Sequence, residues 1–292
     1  MDNAKEKLIQ PIQRGQALID DIRAADVTQG FALWWLGQSG FLIKAPGGVL
    51  LFDPYLSDSL TKKYAETDKP HTRLSELVVE PGLLDMVDVV TSSHNHTDHL
   101  DAFTLNPLRD ACDKLTIVVP EANRAFAAER LGVEPSDLEV LDAGQSAAFG
   151  AFTLHAMPAA HNELEADDAG RQKYLGYVAE FEAGGRRCFV YHSGDTLRYE
   201  GMAETISHWP IDLALLPING NKPERRVAGN LSGDEAAQLA KDIDASLVLP
   251  CHYDLFAFNT ATPDLFVKTC DSLGQSCRVP QLGERVDIMI DA

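Results

Sequence analysis

Four candidate metal ligands fall within six consecutive residues of this chain. They stand in the run HNHTDH at 94–99, directly after the apolar stretch 86–90, which predicts a buried strand. Imidazole nitrogens and a carboxylate oxygen suit zinc, manganese or iron. A lone histidine is usually structural, but three histidines and an aspartate at the mouth of one strand indicate a cation. The chain must therefore fold so that this loop meets the ligands that complete a metal site.

Three further candidates lie downstream. His161, Asp195 and His252 each stand at the point where an apolar run gives way to a loop. Such a run predicts a strand, and a loop held by a rigid sheet can position side chains as accurately as a metal requires. Taken alone, Asp195 after Ser-Gly is typical of a turn. These three residues add two imidazoles and one carboxylate at predicted strand ends.

The H-x-H-x-D-H pattern with these downstream ligands resembles the metallo-β-lactamase superfamily. Within it, the stretches 30–40, 191–195 and 250–254 are similar to the branch that contains L-ascorbate-6-phosphate lactonase. The likeness runs from Gly30 to just beyond His252, which is most of the chain. One departure stands at residue 161, where the lactonase branch need not carry a histidine, so the resemblance leaves the exact substrate open.

The resemblance implies a site for two divalent metal ions, Mn2+ or Zn2+, with Fe2+ also open. It assigns His94, His96 and His161 to the first ion, Asp98, His99 and His252 to the second, and Asp195 to a bridge between them. A metal-bound hydroxide would attack the substrate, because paired cations lower the pKa of a shared water. Asp98, or a nearby protonated group, is the candidate that passes a proton to the leaving oxygen. His192 is expected to stay outside the ligand set.

The rest of the chain mixes predicted strands and helices without a proline- or serine-rich linker, which is typical of one α/β domain. The resemblance implies that they form the four-layer αββα sandwich of the metallo-β-lactamase type. Near-helical spacing of apolar residues predicts a helix over 5–25, and hence an N-terminal helical extension at 1–29 before a hydrolase domain at 30–292. Strands are predicted at 31–36, 40–44, 49–53, 115–119, 174–182, 187–191, 211–216 and 246–249, short strands between 138 and 157, and helices at 101–112, 121–131 and 232–243.

The acidic composition limits the partners of this chain. A net charge of −19 and a pI near 4.7 argue against nucleic acid or an anionic membrane, so we expect a small-molecule substrate, with homo-oligomerisation left open. Five cysteines without a CxxC pair predict a reduced, cytoplasmic protein. The first residues lack the apolar region of a signal peptide, and no apolar run approaches the length of a membrane span.

A polar and basic segment follows the predicted strand 211–216, on the side where the ligands emerge. Its cations could clamp a phosphate, and an arginine can do so bidentately. A solvated basic loop on an acidic protein is an alternative of nearly equal weight, and the asparagines could either contact substrate or cap turns. The candidate substrate-binding residues are Asn219, Lys222, Arg225, Arg226 and Asn230.

Three classes of function are compatible with these residues. The leading one is a metal-dependent hydrolase of a small anionic lactone or ester, similar to L-ascorbate-6-phosphate lactonase. The second is a phosphodiesterase or nuclease with the same dinuclear site, against which the acidic charge counts. The third is a non-hydrolytic metal-binding or di-iron redox protein. Redox members of the superfamily usually carry glutamate at the position of His96, which weakens the third class.

Overall fold

The strands of residues 8–290, which the computed structural model describes, form two sheets. In chain order they are β1 (Gly30–Gly37), β2 (Gly40–Ala45), β3 (Gly48–Phe52), β4 (Val89–Thr91), β5 (Thr116–Pro120), β6 (Glu139–Leu141), β7 (Ser146–Phe149), β8 (Phe152–Pro158), β9 (Leu175–Ala183), β10 (Arg186–His192), β11 (Leu213–Pro217), β12 (Leu247–Cys251) and β13 (Arg285–Met289). One sheet has seven strands in the order β13-β1-β2-β3-β4-β5-β6. The other has six, in the order β12-β11-β10-β9-β8-β7.

Each sheet combines antiparallel and parallel pairing. In the first sheet β13, β1, β2 and β3 are antiparallel neighbours, and β3 to β6 are parallel. In the second, β7 to β10 are antiparallel and β10 to β12 are parallel. Parallel neighbours end at the same edge of a sheet. The loops after β3 and β4 therefore leave one edge of the first sheet together, and the loops after β10, β11 and β12 leave one edge of the second. All the candidate ligands but His161 stand in such loops.

Helices pack on the sheets. Helix α4 contacts β5 of the first sheet, and α6 contacts β11 and β12 of the second. None of the helices within residues 8–290 is long and apolar enough to cross a membrane. The helices are α1 (Gln16–Ala24), α2 (Ser59–Lys63), α3 (Ala102–Ala111), α4 (Arg124–Leu131), α5 (Met202–Ile206), α6 (Gly233–Asp242) and α7 (Asp264–Leu273).

The two sheets meet face to face through large apolar side chains. Phe181 of β9 makes edge-on contacts with Phe31 of β1 and Phe152 of β8, with ring centroids 5.1 and 5.5 Å apart. Adjacent residues of a strand face opposite ways, and both tryptophans of β1 are buried accordingly. Trp34 donates from Nε1 to Asp21 of α1, whereas Trp35 stacks on Tyr253 at 4.3 Å. Sheet facing sheet with helices outside is the predicted αββα sandwich.

The N-terminal segment is only partly helical. The prediction of a helix over 5–25 is wrong for residues 8–15, because α1 begins only at Gln16. Residues 5–7 of that prediction lie outside the described residues. Pro11 and Gly15, which has φ 54°, do not continue a helix. The backbone of this segment bonds to distant loops instead: Ile12 N–H donates to Leu282 O, and Gly15 N–H to Val78 O. Residues 8–15 thus lie as an extended strap on the main body.

Most other elements match their predictions within a few residues. The predicted strand at 86–90 is shorter and later, because Val87 N–H bonds back to Leu84 O in a turn and β4 begins only at Val89. The glycines of the turn between β9 and β10, Gly184 and Gly185, both have positive φ, as a two-residue hairpin requires. The elements that the sequence patterns did not indicate are α2, α5, α7 and β13.

Candidate metal centre

The HNHTDH loop is anchored beneath by Asp53, which follows β3. Asp53 is fully buried with φ 39°, and its Oδ1 accepts hydrogen bonds from Ser93 N–H and Thr91 Oγ1, each 3.0 Å long. Its other oxygen, Oδ2, lies 2.7 Å from His99 Nδ1. A carboxylate on one imidazole nitrogen fixes the ring and leaves the second nitrogen for a cation. Asp53 was not among the predicted site residues, although an aspartate ending a strand was a visible signal.

The first predicted triad is brought together by the structure. Ligand atoms of His94, His96 and His161 all lie within 4.8 Å of one another. The ring centroids are 4.6 Å apart for His94 and His96, 5.1 Å for His94 and His161, and 5.0 Å for His96 and His161. His161 Nδ1 lies 2.9 Å from Gly229 O, which orients the ring from behind. Three imidazoles from two sheets therefore face one point.

The second triad lies beside the first. Ligand atoms of Asp98, His99 and His252 also fall within 4.8 Å of one another. Asp195 stands between the triads, because its Oδ2 lies 3.4 Å from His99 Nε2, 3.6 Å from His161 Nε2 and 3.3 Å from His252 Nε2. One carboxylate oxygen thus contacts imidazoles of both triads, which is the place that the sequence predicted for a bridging ligand.

Burial and mutual charge perturb these groups strongly. Burial, together with the neighbouring imidazoles, holds the pKa of His94 well below its usual range and lowers the pKa of His161 to about 4. Burial opposes charge on Asp195 too, but attraction to His252 and His99 outweighs it and holds the pKa of this carboxyl well below normal. Asp195 and Asp98 conversely overcome the burial of His99 and raise its pKa well above normal. The buried carboxylate of Asp195 and the partly exposed one of Asp98 thus attract positive charge to this point.

These residues fit a divalent metal. Within residues 8–290, the buried atoms His94 Nε2 and His99 Nε2 have no hydrogen-bond partner. Buried polar atoms are normally satisfied, so two ring nitrogens without a partner, facing carboxylates and other imidazoles, fit the binding of a cation. Nitrogen and oxygen donors of this kind suit zinc, manganese or iron. We conclude that the cluster can bind metal.

A cavity of about 740 Å³ opens over the cluster. Pockets for small molecules commonly enclose about 300–1,000 Å³. The metal-binding side chains on its floor are His96, Asp98, His161, Asp195 and His252. Its walls come from the segment 60–71, from α4, from the loop 226–228 and from the loop 256–259. They carry Lys63, Tyr64, Lys69, His71, Arg130, Arg226, Phe256, Phe258 and Asn259.

The structure disperses the predicted substrate-binding residues. Arg226 lines the cavity and pairs at 2.9 Å with Asp68. Arg225 turns away and donates to Asn219 O, Asn259 Oδ1 and Thr260 O. Asn219 and Asn230 are buried and Lys222 is exposed, and none of the three lies among the described residues of the cavity wall. Their contact with substrate stays a prediction.

Several residues that line the cavity or contact the metal cluster escaped the sequence reasoning. Lys63 and Lys69 come from α2 and the turn after it, about thirty residues before the HNHTDH loop. Arg130 comes from α4 and donates from Nη1 to Asn95 O and Leu100 O at the two ends of that loop. Gln38, in the turn between β1 and β2, donates from Nε2 to Asp98 Oδ2 at 2.8 Å. Surface lysines and turn residues carry no pattern that marks them in sequence.

Comparison with known sequences identifies relatives along most of the chain. A sequence profile of the beta-lactamase superfamily domain matches residues 50–253. A UPF0173 metal-dependent hydrolase of Rubrobacter xylanophilus is 31% identical over 251 residues, which cover 84% of this chain and 90% of the relative. A probable L-ascorbate-6-phosphate lactonase of Shigella dysenteriae is 23% identical over 278 residues, covering 85% of this chain and 77% of the relative.

Solved structures share the fold. An isothiocyanate hydrolase from Delia radicum gut bacteria superposes with a TM-score of 0.69 at 19% identity. The superposition covers 89% of this chain and 100% of the hydrolase. A possible metal-dependent hydrolase from Veillonella parvula superposes with a TM-score of 0.68 at 16% identity, over 88% of this chain and 99% of that hydrolase. At these identities the likeness concerns the arrangement of the chain and not the substrate.

Proposed function

This chain belongs to the metallo-β-lactamase superfamily of metal-dependent hydrolases, and we propose that it hydrolyses a small anionic lactone or ester. The observation that carries the proposal is the charge of the cavity wall. The whole chain has 44 acidic and 25 basic residues. Around the cavity the balance is reversed: outside the metal-binding floor it has the cations Lys63, Lys69, Arg130 and Arg226, against the single carboxylate Asp68.

Two of these cations form the part of the wall that we assign to the anionic group of the substrate. Lys69 Nζ donates to Arg226 O at 2.7 Å, which joins the turn after α2 to the loop at 226. Within residues 8–290, Arg226 forms an ion pair with one exposed carboxylate, Asp68, and such surface pairs contribute about 0–1 kcal/mol. A phosphate or carboxylate of the substrate can therefore displace Asp68 at little cost. The guanidinium would then bind the anion bidentately.

Aromatic rings line the same side of the cavity. His71 stacks on Tyr64 with ring centroids 4.3 Å apart and meets Phe258 edge-on at 4.5 Å. These rings offer an apolar surface beside the cations, on which the carbon skeleton of a small cyclic ester can lie. The combination supports a compact substrate with one charged end, as in the lactonase named among the relatives.

The reactive end of the substrate would lie over the floor. Two bound divalent ions, which we propose to be Mn2+ or Zn2+, acidify water and polarise the scissile carbonyl. His94, His96 and His161 would hold one ion and Asp98, His99 and His252 the other, with Asp195 between them. Asp98 has 18% of its side chain exposed, against 3% for Asp195, so it is the carboxylate that the substrate can reach. We assign to Asp98 the transfer to the leaving oxygen of the proton that the attacking water would give up.

The metal content is tested on purified wild-type protein. After reconstitution with Mn2+ or Zn2+, plasma mass spectrometry should find close to two ions per chain, because seven ligand side chains converge. The variant His94→Ala should lose the first ion. A reconstituted wild type without transition metal would refute the metal-dependent mechanism.

The substrate class is tested with a panel of lactones, phosphodiesters and β-lactams. We expect turnover of small lactones or esters that carry a phosphate or carboxylate. Arg226→Ala should raise KM more than it lowers kcat, because a contact remote from the reacting bond is made in the ground state and the transition state alike. The increase should shrink for an uncharged analogue. Lys241→Ala, which removes one positive charge at an exposed position of α6 outside the cavity wall, is the matched control and should leave KM unchanged. Equal effects of Arg226→Ala on charged and neutral substrates would refute the anion site.

A further inference from the structure

Gln38 occupies a turn that is built tightly around the second triad. It lies between β1 and β2, has 1% of its surface exposed and adopts a positive φ of 49°. Its carbonyl oxygen accepts hydrogen bonds from Trp35 Nε1 and from the N–H of His252, each 3.0 Å long. Residues other than glycine rarely adopt positive φ, and such conformations cluster at functional sites. The backbone therefore fixes Gln38 directly against His252.

The side chain of Gln38 touches the metal-facing atoms of two candidate ligands. Its Nε2 lies 2.8 Å from Asp98 Oδ2 and 3.0 Å from His252 Nε2. His252 Nε2 is the ring nitrogen that faces Asp195 at 3.3 Å, and Asp98 Oδ2 is the oxygen nearest His252. The Gln38 amide thus stands on the side of these ligands where the ion belongs. Its Oε1 is buried and has no hydrogen-bond partner within residues 8–290.

This position differs from that of a supporting group. A supporting carboxylate or carbonyl contacts the ring nitrogen that faces away from the ion. Asp53 does so at His99 Nδ1, and Gly229 O does so at His161 Nδ1. Gln38 instead contacts a ring nitrogen that faces the ion. Atoms that bind one cation at about 2.1 Å lie about 3 Å from their neighbours in a six-coordinate shell, which matches both Gln38 contacts.

We propose that Gln38 is a further ligand of the second metal ion, which it binds through its amide oxygen. An amide nitrogen has no lone pair to offer, but a half-turn about the Cγ–Cδ bond exchanges it with Oε1. The oxygen would then occupy the place where Nε2 now meets Asp98 and His252. This inference rests on the two-ion site of the proposed function.

The extra ligand has a consequence for metal choice. Structural zinc sites are almost always four-coordinate, whereas manganese accepts more ligands and favours oxygen. An amide oxygen added to Asp98, His99, His252 and Asp195 gives the second site five protein ligands. We therefore expect Gln38 to favour Mn2+ over Zn2+ at that site.

Two substitutions distinguish a ligand from a hydrogen-bond donor. Gln38→Glu keeps an oxygen that can bind the ion and loses the N–H donors, whereas Gln38→Met keeps the length of the side chain without either function. Mn2+ and Zn2+ are titrated into metal-free protein by calorimetry, and bound ions are counted by mass spectrometry. Gln238→Met, at a half-buried position of α6, is the control.

If Gln38 is a ligand, Gln38→Met should weaken the second Mn2+ at least tenfold, weaken Zn2+ less and leave the first ion unchanged. Gln38→Glu should bind the second Mn2+ as tightly as wild type or more tightly. Equal losses in both variants would mean that Gln38 only donates a hydrogen bond. Wild-type affinity in Gln38→Met would mean that Gln38 is not a metal ligand. Either result would overturn the inference about Gln38 and leave the two-ion site standing. A wild type that binds fewer than two ions would overturn the two-ion site and this inference together. If Gln38→Met does not fold, the comparison of Gln38→Glu with wild type decides.

Discussion

Arg225 and Arg226 are neighbours with the same charge, and the structure predicts opposite consequences for their removal. The guanidinium of Arg225 donates to Asn219 O at 2.6 Å, to Thr260 O at 2.7 Å and to Asn259 Oδ1 at 3.2 Å. It thereby ties the loop after β11 to the loop after β12, next to His252. Arg226 makes one exposed ion pair with Asp68 and faces the cavity.

The expected magnitudes follow from these contacts. A hydrogen bond contributes about 0.5–1.5 kcal/mol net, and more when the donor is charged. Arg225 is half-buried, so water can satisfy part of what is lost, and three bonds then predict a loss of about 2–3 kcal/mol for Arg225→Ala. The exposed pair of Arg226 predicts a loss of roughly 0.5 kcal/mol or less for Arg226→Ala.

Urea unfolding followed by circular dichroism measures the free energy of unfolding of both variants, and steady-state kinetics measures KM. Arg225→Ala should be the destabilised variant, and Arg226→Ala the one whose KM rises with anionic substrates while its stability is kept. Arg225→Lys should recover only part of the loss, since lysine lacks the planar fork of donors. The reasoning fails if the two alanine variants are equally stable, or if Arg226→Ala is the less stable one.

Three further predictions concern the ligands and helix α6. Chelation of divalent ions should lower the Tm in scanning calorimetry, because the neighbouring carboxylates Asp98 and Asp195 would lose their cation; an unchanged Tm contradicts a bound metal. Asp195→Ala should abolish turnover and reduce bound metal, whereas His192→Ala should keep its metal, since His192 Nε2 contacts Ser39 O at 2.8 Å and no ligand. Equal metal loss in both variants would show that the ligand assignment around β10 is wrong. Ser232→Ala, which removes the capping box of α6, should lower the free energy of unfolding by about 1 kcal/mol in urea titrations, and no measurable change would contradict the role of the cap.

The convergence of the candidate ligands could be predicted from sequence because each stands at a strand end. Asp195 follows the apolar strand β10 and His252 follows β12, so local patterns locate both. The superfamily pattern then supplies their grouping. Local patterns do not give the order of the strands in the sheet. In the structure β10 and β12 both flank β11, which brings the loops after them together.

The cavity wall was not predictable in the same way. Lys69 and Phe258 lie nearly two hundred residues apart, and only the packing of their loops brings the ammonium within 5.8 Å of the ring. Arg225 and Arg226 are indistinguishable in sequence, since their different roles depend on which way each side chain leaves the turn. The strand β13 escaped prediction because its mixed sequence is half-exposed at the edge of a sheet. The metal content, the substrate and a cytoplasmic location stay predictions.

The pairing of β1 with β13 has a consequence for how this protein is made. Gly30 at the start of β1 faces Met289, and a Cβ there would lie 2.0 Å from Ile288 O, so the two strands meet closely. Yet Arg285 is synthesised roughly 250 residues after β1 ends, which takes about 12–50 s at about 5–20 residues per second. Throughout that time one edge of the first strand is open, and open strand edges invite pairing with other chains. The nascent protein therefore carries this unpaired edge of β1 until β13 is synthesised, and chaperones that cover strand edges have that interval in which to act.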